Sequence, residues 1–265
     1  MARMLWIAGA AVVLAACGGG GGGGGGSVAP PPPPPPPAND SPGGLWGGNM
    51  TFDGGDTVPV VGIVTETGEF RFIGLDGQQV FGDLTVTGST LAGTGSWVLP
   101  PDTTTAGGSE FGDTVLSGTV QERASISGNF TSTGNLGDSF TGSVSLVYDE
   151  DYERPSSLAI IAGTYTVGNE SLAIDSQGDV FIQAADSGCV GNGSVAVLDS
   201  RYAVYGVSFE LESCVGEQAN LNGQAFSGLA ILTSEGGTPD DTLIMQVDTT
   251  FPDMGFLALT VQYQR

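Results

Sequence analysis

From Gly44 to Arg265 the chain is a succession of short apolar runs with a period of two, broken roughly every 8–12 residues by Gly, Asp, Asn or Ser. A period of two puts alternate side chains on opposite faces of an extended strand, and no segment carries the 3.6-residue repeat of an amphipathic helix. With 45 Gly, 15 Pro and only 13% charged residues, long helices are further disfavoured. The fold class this dictates is all-β. The pattern predicts strands at 45–52, 58–65, 69–73, 79–87, 91–99, 114–121, 124–131 and 139–148, then at 158–167, 171–175, 180–183, 193–198, 202–212, 226–232, 242–247 and 256–263. Eight followed by eight suggests two consecutive antiparallel β-barrel or sandwich units of about eight strands each.

A weak internal repeat supports the division. Glu66-Thr-Gly68-Glu69-Phe70-Arg-Phe72 matches Ser176-Gln-Gly178-Asp179-Val180-Phe-Ile182, a glycine and an acid at a hairpin bend, and an aromatic stands beside glycine near the start of each unit, Trp46 in the first and Tyr165 in the second. The charged, proline-marked stretch Asp149–Ser156 is the expected boundary, giving units 44–155 and 156–265. Alternation nominates Trp46, Val61, Ile63, Phe70, Phe72, Val80, Leu84, Val86, Trp97 and Val120 as the first core. In the second unit it nominates Ile160, Tyr165, Leu172, Ile174, Val180, Ile182, Val195, Val197, Val204, Val207, Phe209, Leu211, Leu229, Ile231, Leu243, Met245 and Val247.

Charge narrows function. Six Arg stand against 29 Asp and Glu, with no Lys and no His, for a formal charge of −23. No basic stripe for nucleic acid is possible, and lysine Schiff bases, P-loop phosphate transfer and histidine acid–base chemistry are excluded. No G-x-S-x-G elbow occurs. A non-enzymatic protein with no cofactor is therefore expected. Calcium is the one metal the composition suits, through Asp53, Asp56, Asp149 and Asp151, although none of these fits an EF-hand or a Gly-Asp repeat and exposed turns use the same residues. Cys189 and Cys214, with no C-x-x-C and no His to complete a zinc site, read as a disulfide within the second unit.

The N-terminus reads as an address. Arg3 precedes a 13-residue apolar run, Met4–Ala16, shorter than the ~20 residues a spanning helix needs. Leu14-Ala15-Ala16-Cys17 closes the run and resembles the lipobox of bacterial lipoproteins. That resemblance implies a signal peptide at 1–16, diacylation of Cys17 (a palmitate-type modification), and membrane attachment without spanning. Gly18 rather than Asp after the cysteine implies the outer membrane, on either its periplasmic or its surface face. Residues 17–43 then form a disordered tether, nine glycines at Gly18–Gly26 and eight prolines at Pro30–Pro37.

The aromatic–glycine start, the glycine–acid hairpin and the two cysteines around Tyr202-Ala-Val-Tyr205-Gly-Val-Ser-Phe209 resemble β-rich proteobacterial lipoproteins of no assigned activity. More distantly, the tether followed by two β-units is similar to transferrin-binding and complement-regulator-binding surface lipoproteins, whose C-terminal parts are eight-stranded barrels. The glycine–proline barrel opening of those receptors is missing here, and no ligand residues carry over. The expectation is an anchored protein that binds a small-molecule or protein partner through barrel mouths or hairpin tips. The alternatives are a structural or assembly factor of the envelope and a calcium-stabilised adhesion module.

Overall fold

A computed structural model describes residues 39–234, 240–251 and 255–265. The expected signal peptide 1–16, Cys17 and the expected tether as far as residue 38 lie outside the described residues.

Sixteen strands form two closed antiparallel barrels, each strand pairing with its neighbours in sequence. Barrel 1 comprises β1 (Gly44–Phe52), β2 (Thr57–Val64), β3 (Glu69–Gly74), β4 (Gln79–Thr87), β5 (Thr90–Val98), β6 (Phe111–Gln121), β7 (Ser125–Gly134) and β8 (Ser139–Asp149). It closes over eight register pairs, from Leu45 opposite Asp149 to Phe52 opposite Gly142. Barrel 2 comprises β9 (Gly163–Val167), β10 (Glu170–Ile174), β11 (Asp179–Ala184), β12 (Val190–Val197), β13 (Val204–Glu212), β14 (Gln224–Thr233), β15 (Thr242–Phe251) and β16 (Gly255–Gln264). It closes on the pair Gln264 opposite Thr166, whereas all five residues of β9 pair with β10 on its other side. The sandwich alternative is thereby settled in favour of barrels.

The repeat is structural. Gly68 and Gly178 both turn the second strand of their barrel into the third at positive φ, 101° and 89°. Each glycine carbonyl accepts from the fourth strand, from Leu84 N–H and Val195 N–H respectively, both at 2.8 Å. The two aromatics also match: Trp46 Nε1 donates to Pro42 O at 3.1 Å, and the Tyr165 hydroxyl to Ile161 O at 2.6 Å, each reaching back four residues. The Cys189–Cys214 disulfide staples the open end of the β12–β13 hairpin, beside the pair Val190–Glu212.

Three expectations need correction. Residues 158–161 are not the start of a strand but one helical turn, α1 (Leu158–Ile161), because the Ser157 side chain accepts from Ile160 N–H and caps it. In β2, Val60 and Val64 face the barrel interior, while Val61 points outward and is 47% exposed. The inward position between them belongs to Gly62, where the Phe72 ring of the adjacent strand lies so close that a Cβ would sit 2.1 Å from it. The third correction concerns Ile63, Val204, Leu229 and Ile231, which are buried as expected but not inside a barrel.

Those four side chains form a separate cluster with Tyr152 and Ala203 on the outer walls. The outer face of β1–β3 packs on that of β14–β15, which is why β14 carries the unbroken run Leu229-Ala-Ile-Leu232, buried on both sides. Polar contacts flank the cluster: Arg71 pairs with Asp248, and Gln79 Nε2 donates to Ala258 O at 2.8 Å. Residues 149–156 are part of this joint. Tyr152 is fully buried and stacks on Tyr202 with centroids 4.9 Å apart, and Arg154 holds Asp240 at 2.9 Å.

Candidate functional site

The site that emerges is the interior of barrel 1. Its walls alternate between bulky apolar side chains and glycine, and four register pairs set a phenylalanine opposite a glycine: Phe52–Gly142, Gly62–Phe72, Phe70–Gly82 and Phe130–Gly142. At Gly62, Gly95 and Gly142 the glycine supplies the space into which a neighbouring ring folds. At Gly142 a Cβ would stand 2.5 Å from the Phe130 ring, and at Gly95 2.9 Å from that of Phe70. Elsewhere glycine faces glycine. Opposite one another, Gly118 and Gly128 have only the backbone of the opposing strand against them, with no ring to fill the gap.

The result is an apolar cavity of about 60 Å³. Met50, Val60, Leu84, Leu116, Ile126 and Val144 line it, with Phe72 and Phe140 half-buried at its margin and Gly128 in its wall. A water needs ~10–15 Å³ and two to four polar partners, so the space is ample for small molecules but its wall is poorly suited to water. Barrel 2, by contrast, is filled by large side chains, among them Tyr165, Tyr205, Tyr263 and the stacked pair Phe209–Phe226, 5.3 Å between centroids.

Both ends of barrel 1 are built up. At one end Trp46 is fully buried, with Tyr148 edge-on at 5.4 Å. Outside it the Arg123 guanidinium lies 4.8 Å from the Tyr202 ring centroid and 5.5 Å from those of Tyr148 and Tyr152, donates to Gly43 O at 2.6 Å and pairs with Glu66 at 3.0 Å. One cation thus ties the first strand's lead-in, the connector and barrel 2 together. At the other end Trp97, also fully buried, meets Phe140 at 5.2 Å, and Phe52 meets Phe130 at 5.6 Å. The long β5–β6 loop is fastened over this end through Asp138. Its carboxylate accepts from the Ser109 and Thr105 hydroxyls, and these hydrogen bonds hold it below the ordinary carboxylate range.

Besides the exposed Ser117, Ser127 and Asn129, which border it, the buried polar side chains at the cavity are Thr114, Ser132 and Gln78. Thr114 and Ser132 face each other across β6 and β7, Ser132 Oγ donating to Thr114 Oγ1 at 3.0 Å. Gln78, in the β3–β4 turn, is 5% exposed and lines the cavity, its backbone N–H donating to Asp76 Oδ1 at 3.1 Å. No charged residue lines the cavity.

The acidic candidates are used locally. Asp53 accepts from the Thr141 hydroxyl and shares an exposed turn with Asp56; Asp149 accepts from Asp151 N–H at 2.9 Å to start a short 3₁₀ turn, and Asp151 lies 3.9 Å from Arg154. Among the described residues no group of three or more Asp, Glu, His or Cys side chains is placed to hold a metal ion.

Sequence reasoning missed Gln78 and the cavity. The signal for Gln78 was present: Val80 and Leu84 were nominated as inward, and the same alternation carried two residues back reaches Gln78. No family model and no curated protein sequence matches the chain.

Proposed function

We propose that the chain is a lipid-anchored, non-enzymatic binding protein of the bacterial outer membrane, attached through Cys17, and that barrel 1 takes a small, slender apolar molecule into its interior. The observation that carries this reading is the cavity itself, an apolar void inside barrel 1, whereas large side chains cluster inside barrel 2. A protein that needed barrel 1 only as scaffold would gain stability by filling it, since an apolar void forfeits contacts in proportion to its size. The glycine run 18–26 and the proline run 30–37 are consistent with an anchored protein of this kind. A second reading, an assembly factor of the envelope, draws on an outward apolar row: Val61 (47% exposed) and Val147 (64% exposed) both pair with Gly47, whose outer side is open.

Xenon binding to the full chain, followed by the chemical shift of dissolved xenon-129, tests the first reading because xenon enters dry apolar cavities without needing a polar partner. Saturable binding that Val144→Phe abolishes is expected. No saturable binding would remove barrel 1 as a ligand site and leave the outward row as the better-supported surface.

A further inference from the structure

We infer that the outer edge of β16 is a docking site for an extended, basic peptide segment of a partner protein, which pairs with β16 as an added strand. The site lies outside the interior of barrel 1 and does not depend on what that cavity holds.

Backbone hydrogen bonding identifies the edge. Arg265 N–H donates to Asp241 O at 2.8 Å, which makes Asp241 and Arg265 a bonded pair of the β15–β16 ladder. Bonded pairs recur at every second residue of an antiparallel ladder, so Leu257, Leu259, Val261 and Tyr263 direct their main-chain groups at β15. Ala258, Thr260 and Gln264 direct theirs the opposite way. On that side Gln264 lies opposite Thr166 of β9, and among the described residues no further strand pair covers β16. Gln79 of barrel 1 stands where a strand would run, its Nε2 donating to Ala258 O at 2.8 Å and its Oε1 accepting from Thr260 Oγ1 at 3.0 Å. A side-chain amide here makes the contact that a peptide group would make, and an open strand edge is a template for such a group.

A cleft of about 400 Å³ runs beside the edge, between Leu257–Thr260 and Ile73, Val98, Leu99 and Pro100 of barrel 1. Barrel 1 offers the edge no main-chain donor from Leu99 to Pro101, because Leu99 N–H is committed to Glu110 O at 2.9 Å and the two prolines have no N–H. The occupant follows from the lining. Edge N–H groups two residues apart, about 6.8 Å, match an extended backbone. The apolar wall takes alternate side chains of that strand. The exposed acids Asp102 and Glu110 also line the cleft, no Arg does, and the chain carries a formal charge of −23, so Arg or Lys is favoured at the other positions. The same charge opposes edge-to-edge pairing of two copies.

The test titrates the full chain into a fluorescently labelled pentapeptide alternating arginine and valine and follows anisotropy. Saturable binding is expected, with a glutamate–valine twin at least about tenfold weaker. Methylating the main-chain nitrogens of the arginines, or separately those of the valines, should abolish binding in one case and spare it in the other, because alternate N–H groups of a strand face opposite sides. Thr260→Pro removes an edge N–H and no bond of the β15 ladder, and should weaken binding at least about fivefold. Should that variant fail to fold, Asp102→Asn combined with Glu110→Gln, both at exposed positions, should weaken the basic peptide by about fivefold. No saturable binding, an acidic twin that binds as well, or two methylated peptides that behave alike would overturn the proposal. So would a dimer of the full chain in sedimentation that Thr260→Pro dissociates, since a second copy would then occupy the edge.

Discussion

The joint between the barrels can be tested by a substitution on one barrel read out on the other. Ile231 sits on the outer wall of barrel 2, yet it is fully buried, in a cluster with Ile63 of barrel 1. Ile231→Ala removes three carbons, about 2.4 kcal/mol at ~0.8 kcal/mol for each buried methylene, and incomplete collapse of the remaining space brings the expected loss to about 3 kcal/mol. Of the three tryptophans, Trp46 and Trp97 belong to barrel 1, and a Trp6→Phe background removes the third. Tryptophan emission during urea unfolding therefore reports barrel 1 alone. If the docked walls contribute to both barrels, Ile231→Ala should lower the stability read by these tryptophans by about 2–4 kcal/mol. Val115→Ala, on an outward side chain of β6 that is 56% exposed, should stay within about 0.5 kcal/mol. The reasoning fails if Ile231→Ala moves a tyrosine signal but leaves the tryptophan transition where it was, because barrel 1 would then be indifferent to what covers Ile63.

Other consequences are open to measurement. Cys214→Ser opens a cross-link spanning 25 residues and should destabilise barrel 2 by about 3.5 kcal/mol in the chain-entropy model, checked by urea titration of the tyrosine signal. Asp138 is held below its ordinary value of 3.8, so the loop contacts it makes are present above that pH and are lost as pH falls through the lower folded value; Asp138→Asn should remove this acid-sensitive step from the melting temperature. At the alkaline end burial pushes Tyr205 up to about 12 from 10 and raises Tyr152 and Tyr263 as well. Between pH 10 and 12 the unfolded chain therefore gives up phenolic protons before the folded one, and stability should fall as pH rises, with the 295 nm absorbance change lagging until unfolding releases it.

Most of the architecture was legible because antiparallel neighbours in sequence are neighbours in space, so strand count and turn chemistry nearly determine the topology. The errors came where burial has two possible partners. In β2 the run Val58-Pro-Val-Val-Gly-Ile-Val64 permits either parity, and the bulkier Ile63 argues for the wrong one, since the inward slot is Gly62 with Phe72 laid over it. In β14, Leu229 and Ile231 were assigned inward when Phe226, Ala230 and Leu232 fill the interior. A one-residue shift exchanges the faces of a strand, and a strand buried on both faces gives no polar residues by which to choose. Leu229-Ala-Ile-Leu232 did announce double burial, but nothing in its own sequence could say that the second cover was another unit of the same chain.

The cavity was harder to foresee for a different reason. Alternation reports which side chains face inward, not whether their volumes fill the barrel, and 45 glycines read first as turns. Register converts those glycines into information. Where the pairing sets phenylalanine opposite glycine, as at Gly62–Phe72 and Phe130–Gly142, the ring occupies the missing side chain's place and the wall is full. At Gly118–Gly128 the pairing sets glycine opposite glycine; each meets only the opposing backbone, and Gly128 borders the void. Adding a side chain there is sterically barred, a Cβ on Gly118 falling 2.2 Å from Ser127 O, so the space cannot be closed from these two positions without shifting the backbone. Filling it therefore falls to the branched side chains around it, such as Val144, and the same glycine pairing that hid the void from the alternation pattern helps to keep it open.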